Sequence, residues 1–334
     1  MVAEANSGAL KLTAPDIIIR PAAPVAGSGF DPAAPGAAVV AAVQTALQEM
    51  PALPAYRVDL AAALELPGNA LADAPDMRWA RQVWTCCMAA GGHWSQAVPV
   101  AAAVEIFMVA LDLLDDLEDN EAHPLVTRFG PARALNVSTG LLLLAQQQLL
   151  ISSPGPTAVD MLLSTGLHAC SGQDADLGGL PPQDDQIHVA LEITSWKSAT
   201  LVATVCRLGA LCAGADAAVQ AGYARLGWHM GMMAQLANDI RAVAPDATEK
   251  TDIRLGRPTL PLVYADCRRG DTAAGGDTPA TRARLWNGAS VYLTWAVVET
   301  YRRQARDLIA QLTPDPQLRV MLLKLLPAIT WVEH

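Results

Sequence analysis

The sequence predicts an all-α protein built as a single helical bundle, and three observations carry that expectation. The chain is 52% apolar but only 5% aromatic over its 334 residues, rich in Ala and Leu and poor in the β-branched runs that strands require. Gly and Pro recur at helix-length intervals, with no hairpin dipeptide between alternating segments. The apolar stretches between those breaks follow a helical period.

Taken in order, the elements begin after a tail. Residues 1–36 include "IIIRPAAPVAGSGFDPAAPG", dense in Pro, Gly and Ala without a helical period, and are expected to be flexible. One helical domain is expected over 37–334. Its helices are punctuated by "MPALPAY", "LPGNALADAPDM", "AAGGHWSQAVP", "NEAHP", "RFGP", "SSPGPT", "GGLPPQDD", "AGAD", "VAPD", "RLGRPTLP" and "RGDTAAGGDTP", which leaves room for about nine to eleven helices. No internal repeat is discernible.

A net charge of −10 and a pI near 5.0 argue against a nucleic-acid partner, which calls for a basic face. The mean hydropathy of +0.24 raises the possibility of a membrane span, but "PVAAAVEIFMVAL" carries Glu105 and "SATLVATVCRLGALCAGA" carries Arg207, short of the roughly 20 uninterrupted apolar residues a bilayer needs. The first residues lack a signal-peptide pattern. A cytoplasmic protein without a membrane span is expected. Cys86, Cys87, Cys170, Cys206, Cys212 and Cys267 show no metal-type spacing and read as reduced core residues.

The stretch "MVALDLLDDLEDNEAH" holds Asp112, Asp115, Asp116 and Asp119 at i, i+3, i+4 and i+7, one face of a helix. Like charges at such spacing repel, and the preceding "VAAAVEIFMVALDLL" is apolar on nearly all sides. Carboxylates at the end of a buried helix are costly unless paired or metal-bound. A solvated acidic face is the plainer alternative. An open row of Asp suits Mg²⁺, which takes one or two carboxylates together with substrate phosphate oxygens. In "GMMAQLANDIRAV", Gln235, Asn238, Asp239 and Ala242 repeat the spacing, with Arg241 among them. Lys197 lies in the apolar "SWKSATL", where it either needs an anionic partner or snorkels to the surface. Arg254 and Arg257 lie in the turn-rich "TDIRLGRPTLP". Metals with Lys and Arg around one cleft describe a polyphosphate site.

These segments resemble the trans-isoprenyl diphosphate synthases of the class I terpenoid synthase superfamily. "DDLED" is similar to the family's DDxxD, "SGQDADL" to GQxxDL, "KSATL" to KTxxL, "GMMAQLANDI" to GxxFQxxDD and "DIRLGRPTLPLVYA" to DxxxGKxTLPLxxA, in that order from about Trp79 to Ala265. The resemblance implies an all-α fold with a deep central cavity and about three Mg²⁺ ions with bound diphosphate. It implies that Asp115 and Asp119 ligate metal from one wall and Asp239 from the other, that Lys197 and Arg257 hold the diphosphate with Gln235 beside it, and that the protein is a homodimer. Phe107, Trp196 and Trp228 are aromatic candidates for steadying a carbocation.

Two departures bear on the reaction. The GGKxxRP segment that holds isopentenyl diphosphate reads "APDMRWARQ", keeping Arg78 and Arg81, and RRGxP is replaced by "NEAHPLVTRFG" with Arg128 alone nearby. Lost cations cost a polyanion about 1.5–3 kcal/mol per charged hydrogen bond. The second motif carries Asn238 and Ala242 in place of Asp, and Pro245 should end that helix before Asp246 can stack. Asp112, where relatives carry an apolar residue, is either a partner for a nearby cation or a base. The expectation is therefore a Mg²⁺-dependent terpene synthase that ionises one allylic prenyl diphosphate and cyclises the cation. The alternatives are a prenyltransferase with a second substrate and a non-catalytic subunit of a heteromeric synthase.

Overall fold

A computed structural model describes residues 31, 33–72, 76–178, 186–247, 252–265 and 276–327. The expected N-terminal tail, Cys267 and the "GGLPPQDD" break lie largely or wholly outside them. The described residues are helical without strands: α1 Ala34–Glu49, α2 Pro54–Leu64, α3 Arg78–Ala89, α4 Trp94–Glu118, α5 Pro124–Phe129, α6 Pro131–Leu150, α7 Gly155–Gly178, α8 Gln186–Thr194, a π-helical turn Ser195–Ala199, α9 Thr200–Cys212, α10 Ala217–Ala242, α11 Asp252–Leu255, α12 Leu260–Tyr264, α13 Pro279–Trp286, α14 Ala289–Leu312 and α15 Pro316–Leu323.

α4 is the axis of the bundle. Ala, Val, Ile, Phe and Met side chains bury it from Val100 to Ala110 on every side, because α1, α3, α6 and α9 all pack against it. Its length and hydropathy would satisfy a membrane span, but 72% of that window is buried inside the protein. His93 starts it with a capping box, accepting from the Ser95 N–H while Gln96 accepts from the His93 N–H, which satisfies donors that a helix start leaves open. α10 packs along α9, the π-helical turn and α14. Asp216 caps it by accepting from the Val219 N–H at 2.9 Å.

The start of α3 has no cap of its own, since Met77 sits in the left-handed region with φ 48. Glu105 of α4 supplies one from across the core by accepting the Ala80 N–H at 2.7 Å. That carboxyl is 2% exposed, and burial pushes its pKa up to about 7. The end of α10 is held similarly. The buried Arg282 of α13 donates to the Ala242 and Ala244 carbonyls at 2.9 and 3.0 Å and pairs with both oxygens of Asp277 at 2.7 Å. α10 stops at Ala242, three residues before Pro245, in keeping with a proline that cannot continue a helix.

The expectation of core cysteines holds for Cys86, Cys87 and Cys206, whereas Cys170 is exposed and Cys212 half-buried. Cys170 lies on the outer side of α7, where only one face of the helix packs.

Candidate active site

Lys197 stands at the middle of the site. It lies on the π-helical turn rather than a regular helix, and such turns re-aim side chains at functional positions. The turn approaches α7 closely at Gly172, where an added Cβ would come within 2.4 Å of the Lys197 nitrogen. On its other side Trp228 donates its indole N–H to Ser195 Oγ at 2.8 Å. Held so, the Lys197 ammonium reaches Asp115 Oδ1 of α4 at 3.2 Å and Asp176 Oδ2 of α7 at 3.0 Å. Its side chain is 17% exposed. Burial alone would lower its pKa, but Asp176, Asp115 and Asp119 outweigh that and raise it, so the group is a fixed cation.

Arg257, 6% exposed, donates through Nη2 to Asp119 Oδ1. The carboxyl of Asp119 is nonetheless raised above its ordinary value, first by burial and then by Asp115 and Asp176, with Lys197 and Arg257 pulling the other way. Asp112, a turn before Asp115, retains accessible surface while protein atoms crowd its carboxylate. Burial pushes its pKa up to about 6, opposed chiefly by the charge of Arg78. Asp116 points elsewhere, with His123 Nε2 3.9 Å from its Oδ2.

The second motif is split by the helix. Gln235 donates to Asp239 Oδ1 at 2.9 Å and accepts from Ser198 Oγ at 2.7 Å, so Asp239 joins the π-helical turn by a short relay. It is 3% exposed, and burial pushes its pKa up to about 8, reinforced by Asp252 and Asp176 and opposed by Gln235 and Lys197. Asn238 and Arg241 face a different space, a cavity of about 1110 Å³ that they line with Arg78, Arg81 and Lys324. Successive residues on a helix are about 100° apart, so Asn238 and Asp239 cannot face one cleft squarely.

The structure thus brings together Asp115, Asp119, Lys197 and Arg257, with Asp239 and Gln235 in the adjoining layer. Arg254 is exposed on the single turn α11 and makes no ion pair with the acidic rows among the described residues. Asp115, Asp119 and Asp239 do not converge on one point: among the described residues no three His, Cys, Asp or Glu side chains form a metal cluster. Of the aromatic candidates, Phe107 is buried against Gly166, Trp196 stacks edge-on with His168 at 4.9 Å, and Trp228 braces the π-helical turn. Asp176 was absent from the predicted set. Its signal was present in "SGQDADL", where it falls one helical turn after Gln173.

Carboxylates of α4 and α7 paired with Lys197 and Arg257, set in an all-α bundle, are the arrangement that the structure presents at this site. The sequence profile of the Polyprenyl synthetase family matches residues 77–274, and the chain belongs to that family. It is 30% identical over 216 residues to a (2E,6E)-farnesyl diphosphate synthase of Mycobacterium tuberculosis, spanning 61% of this chain and 58% of the relative's length. It is 30% identical over 249 residues to a nonaprenyl diphosphate synthase of the same organism, 67% of this chain and 73% of the relative. A tryptophan prenyltransferase, ComQ, of Bacillus spizizenii is 26% identical over 175 residues, 52% and 60% of the two chains. The fold is shared with a polyprenyl synthase from Caulobacter crescentus CB15 complexed with calcium and isoprenyl diphosphate, at TM-score 0.72 and 22% identity, over 88% of this chain and 94% of that one.

Proposed function

We propose that this protein is a Mg²⁺-dependent prenyltransferase. It binds an allylic prenyl diphosphate at Asp115, Asp119, Lys197 and Arg257, ionises it, and passes the prenyl cation to a second substrate. The observation that carries this reading is the Lys197 bridge, one half-buried ammonium tied to carboxylates of both α4 and α7. Lys197 and Arg257 are placed to exchange these carboxylates for phosphate oxygens as charge develops on the leaving group.

The donor set suits Mg²⁺. All of its atoms are hard oxygens. Asp115 and Asp119 would hold the metal, with Asp239 in reserve behind them. When bound, Mg²⁺ supplies Lewis-acid stabilisation of the departing pyrophosphate.

Transfer to a second substrate replaces the cyclisation expected from the sequence. The relatives named above are prenyl diphosphate synthases and a prenyltransferase, and a cavity lined by Arg78, Arg81 and Arg241 supports a second substrate. The test is product analysis with geranyl, farnesyl and geranylgeranyl diphosphates, with and without an acceptor. Turnover only with an acceptor is expected. A cyclic or linear hydrocarbon from the lone diphosphate would restore the cyclase, and a chain inert by itself yet active in a heteromer would make it a subunit.

A further inference from the structure

Asp176 is placed against the π-helical turn by backbone contact. α7 meets the turn at Gly172, where an added Cβ would stand 2.8 Å from the Lys197 Cα. Asp176 follows one helical turn later, on the same face of α7. Helical side chains lean toward the N-terminus of their own helix, so its carboxylate reaches back over that contact. It accepts a hydrogen bond from Lys197 Nζ through Oδ2 at 3.0 Å.

The two carboxylates on Lys197 are not equivalent. Asp115 Oδ1 lies 3.2 Å from Nζ on a side chain that is 45% exposed, whereas the Asp176 side chain is only 12% exposed. Asp115 therefore has room to turn to a metal ion, and Asp176 has little. Asp176 is also a negative charge among negative charges, since it helps to raise the carboxyls of both Asp119 and Asp239. Without a cation on it, such a group repels a polyphosphate. Its presence beside a diphosphate site is useful only through the ammonium that it holds.

We propose that Asp176 is a positioning residue of the diphosphate site: it keeps hold of Lys197 while the ammonium exchanges Asp115 for a diphosphate oxygen. The inference rests on the transferase reading above and deepens it. An ammonium has three donors, so one can stay on Asp176 while another changes partner. Its stem is flexible, and a charge-assisted hydrogen bond at its tip restricts where it points. With that anchor gone, the remaining carboxylate on Lys197 is Asp115, which the metal also needs. Asp176 takes up no proton and forms no bond to the substrate.

The test is a double-mutant cycle between Asp176 and Lys197 on the full chain. It is read as the affinity for inorganic pyrophosphate in the presence of Mg²⁺, by calorimetry, and as pyrophosphate release from farnesyl diphosphate, alone and with isopentenyl diphosphate. Asp176→Asn should weaken pyrophosphate binding about tenfold and slow release by a similar factor, and Asp176→Glu, which keeps the charge, should recover part of the loss. In a Lys197→Ala background Asp176→Asn should change binding by no more than about twofold, or tighten it, because the carboxylate is there only a repulsive charge. Equal losses in both backgrounds would overturn the proposal, making Asp176 a metal ligand or a purely structural residue. Unchanged affinity in Asp176→Asn with Lys197 present would overturn it as well. The expected pattern in pyrophosphate binding, without release from farnesyl diphosphate under either condition, would uphold Asp176 in this role and count against the transferase reading instead.

Discussion

Lys197 and its two carboxylate partners make the most exacting demand on single side chains. Lys197→Ala should lower kcat by about 10²–10³-fold, the usual loss for one fixed donor at a developing anion. Asp115→Ala with Asp119→Ala should abolish turnover with circular dichroism unchanged; retained turnover would show the acidic row to be incidental. Glu105 makes a demand of another kind. Its pKa of about 7 in the fold lies above the ordinary 4.5, so the stability linked to it is complete below about pH 4.5 and is lost as pH rises through 7. At about 1.4 kcal/mol per unit, the loss is on the order of 3 kcal/mol. Glu105→Gln, whose amide oxygen still accepts the Ala80 N–H, should flatten that decline in urea unfolding between pH 5 and 8; an unchanged slope would reject the assignment. Asp115 and Asp119 were legible in the sequence because helical spacing fixes which carboxylates share a face, and Arg257 because its segment resembles a family motif. The pairing of Lys197 with Asp176 was not, because 21 residues, among them helix α8, separate them. The split of Asn238 from Asp239 was missed because adjacent positions in one motif were read as one surface.

The π-helical turn is the element on which the site is built. Its backbone touches α7 at Gly172 and α10 at Gly231, where an added Cβ would lie 2.6 Å from Ala199 Cα. Backbone cannot yield as a side-chain tip can, so Gly172→Ala should cost about 1–3 kcal/mol, seen as a lower Tm. It should cost proportionally more in turnover, because the displaced atoms carry Lys197. A fall in Tm with kcat unchanged would separate the turn from catalysis. α10 depends on Arg282, whose removal leaves two helix-end carbonyls and Asp277 unpaired; Arg282→Ala should destabilise by about 3–5 kcal/mol in chemical unfolding. Regular helices were readable from Gly and Pro punctuation, whereas the extra residue of the π turn was not. Tertiary contact imposes it, and local propensity leaves no trace of it.

At the scale of the molecule, the bundle buries the middle of α4, from Val100 to Ala110, but leaves apolar side chains exposed on α6 and α7. Leu135, Leu143 and Leu150 of α6 and Leu163 and Leu167 of α7 are 51, 62, 58, 43 and 73% exposed on two helices that pack together, and exposed apolar surface can mark an interaction site. A second copy of the chain is the occupant we expect, and Leu143→Asp with Leu167→Asp should shift sedimentation from dimer to monomer; an unchanged mass would exclude this face. The all-α architecture was legible from composition and periodicity, and the motifs lay in their family order. The cavity lined by Arg78, Arg241 and Lys324 was not, since its walls come from opposite ends of the chain. The resting cleft has one further property. Asp115, Asp119 and Asp176 already lean on Lys197 or Arg257, so an arriving metal must first evict tenants that have nowhere else to go. A diphosphate offers those tenants new lodging, and the ion and the prenyl donor should therefore load as a pair, each tightening the hold on the other.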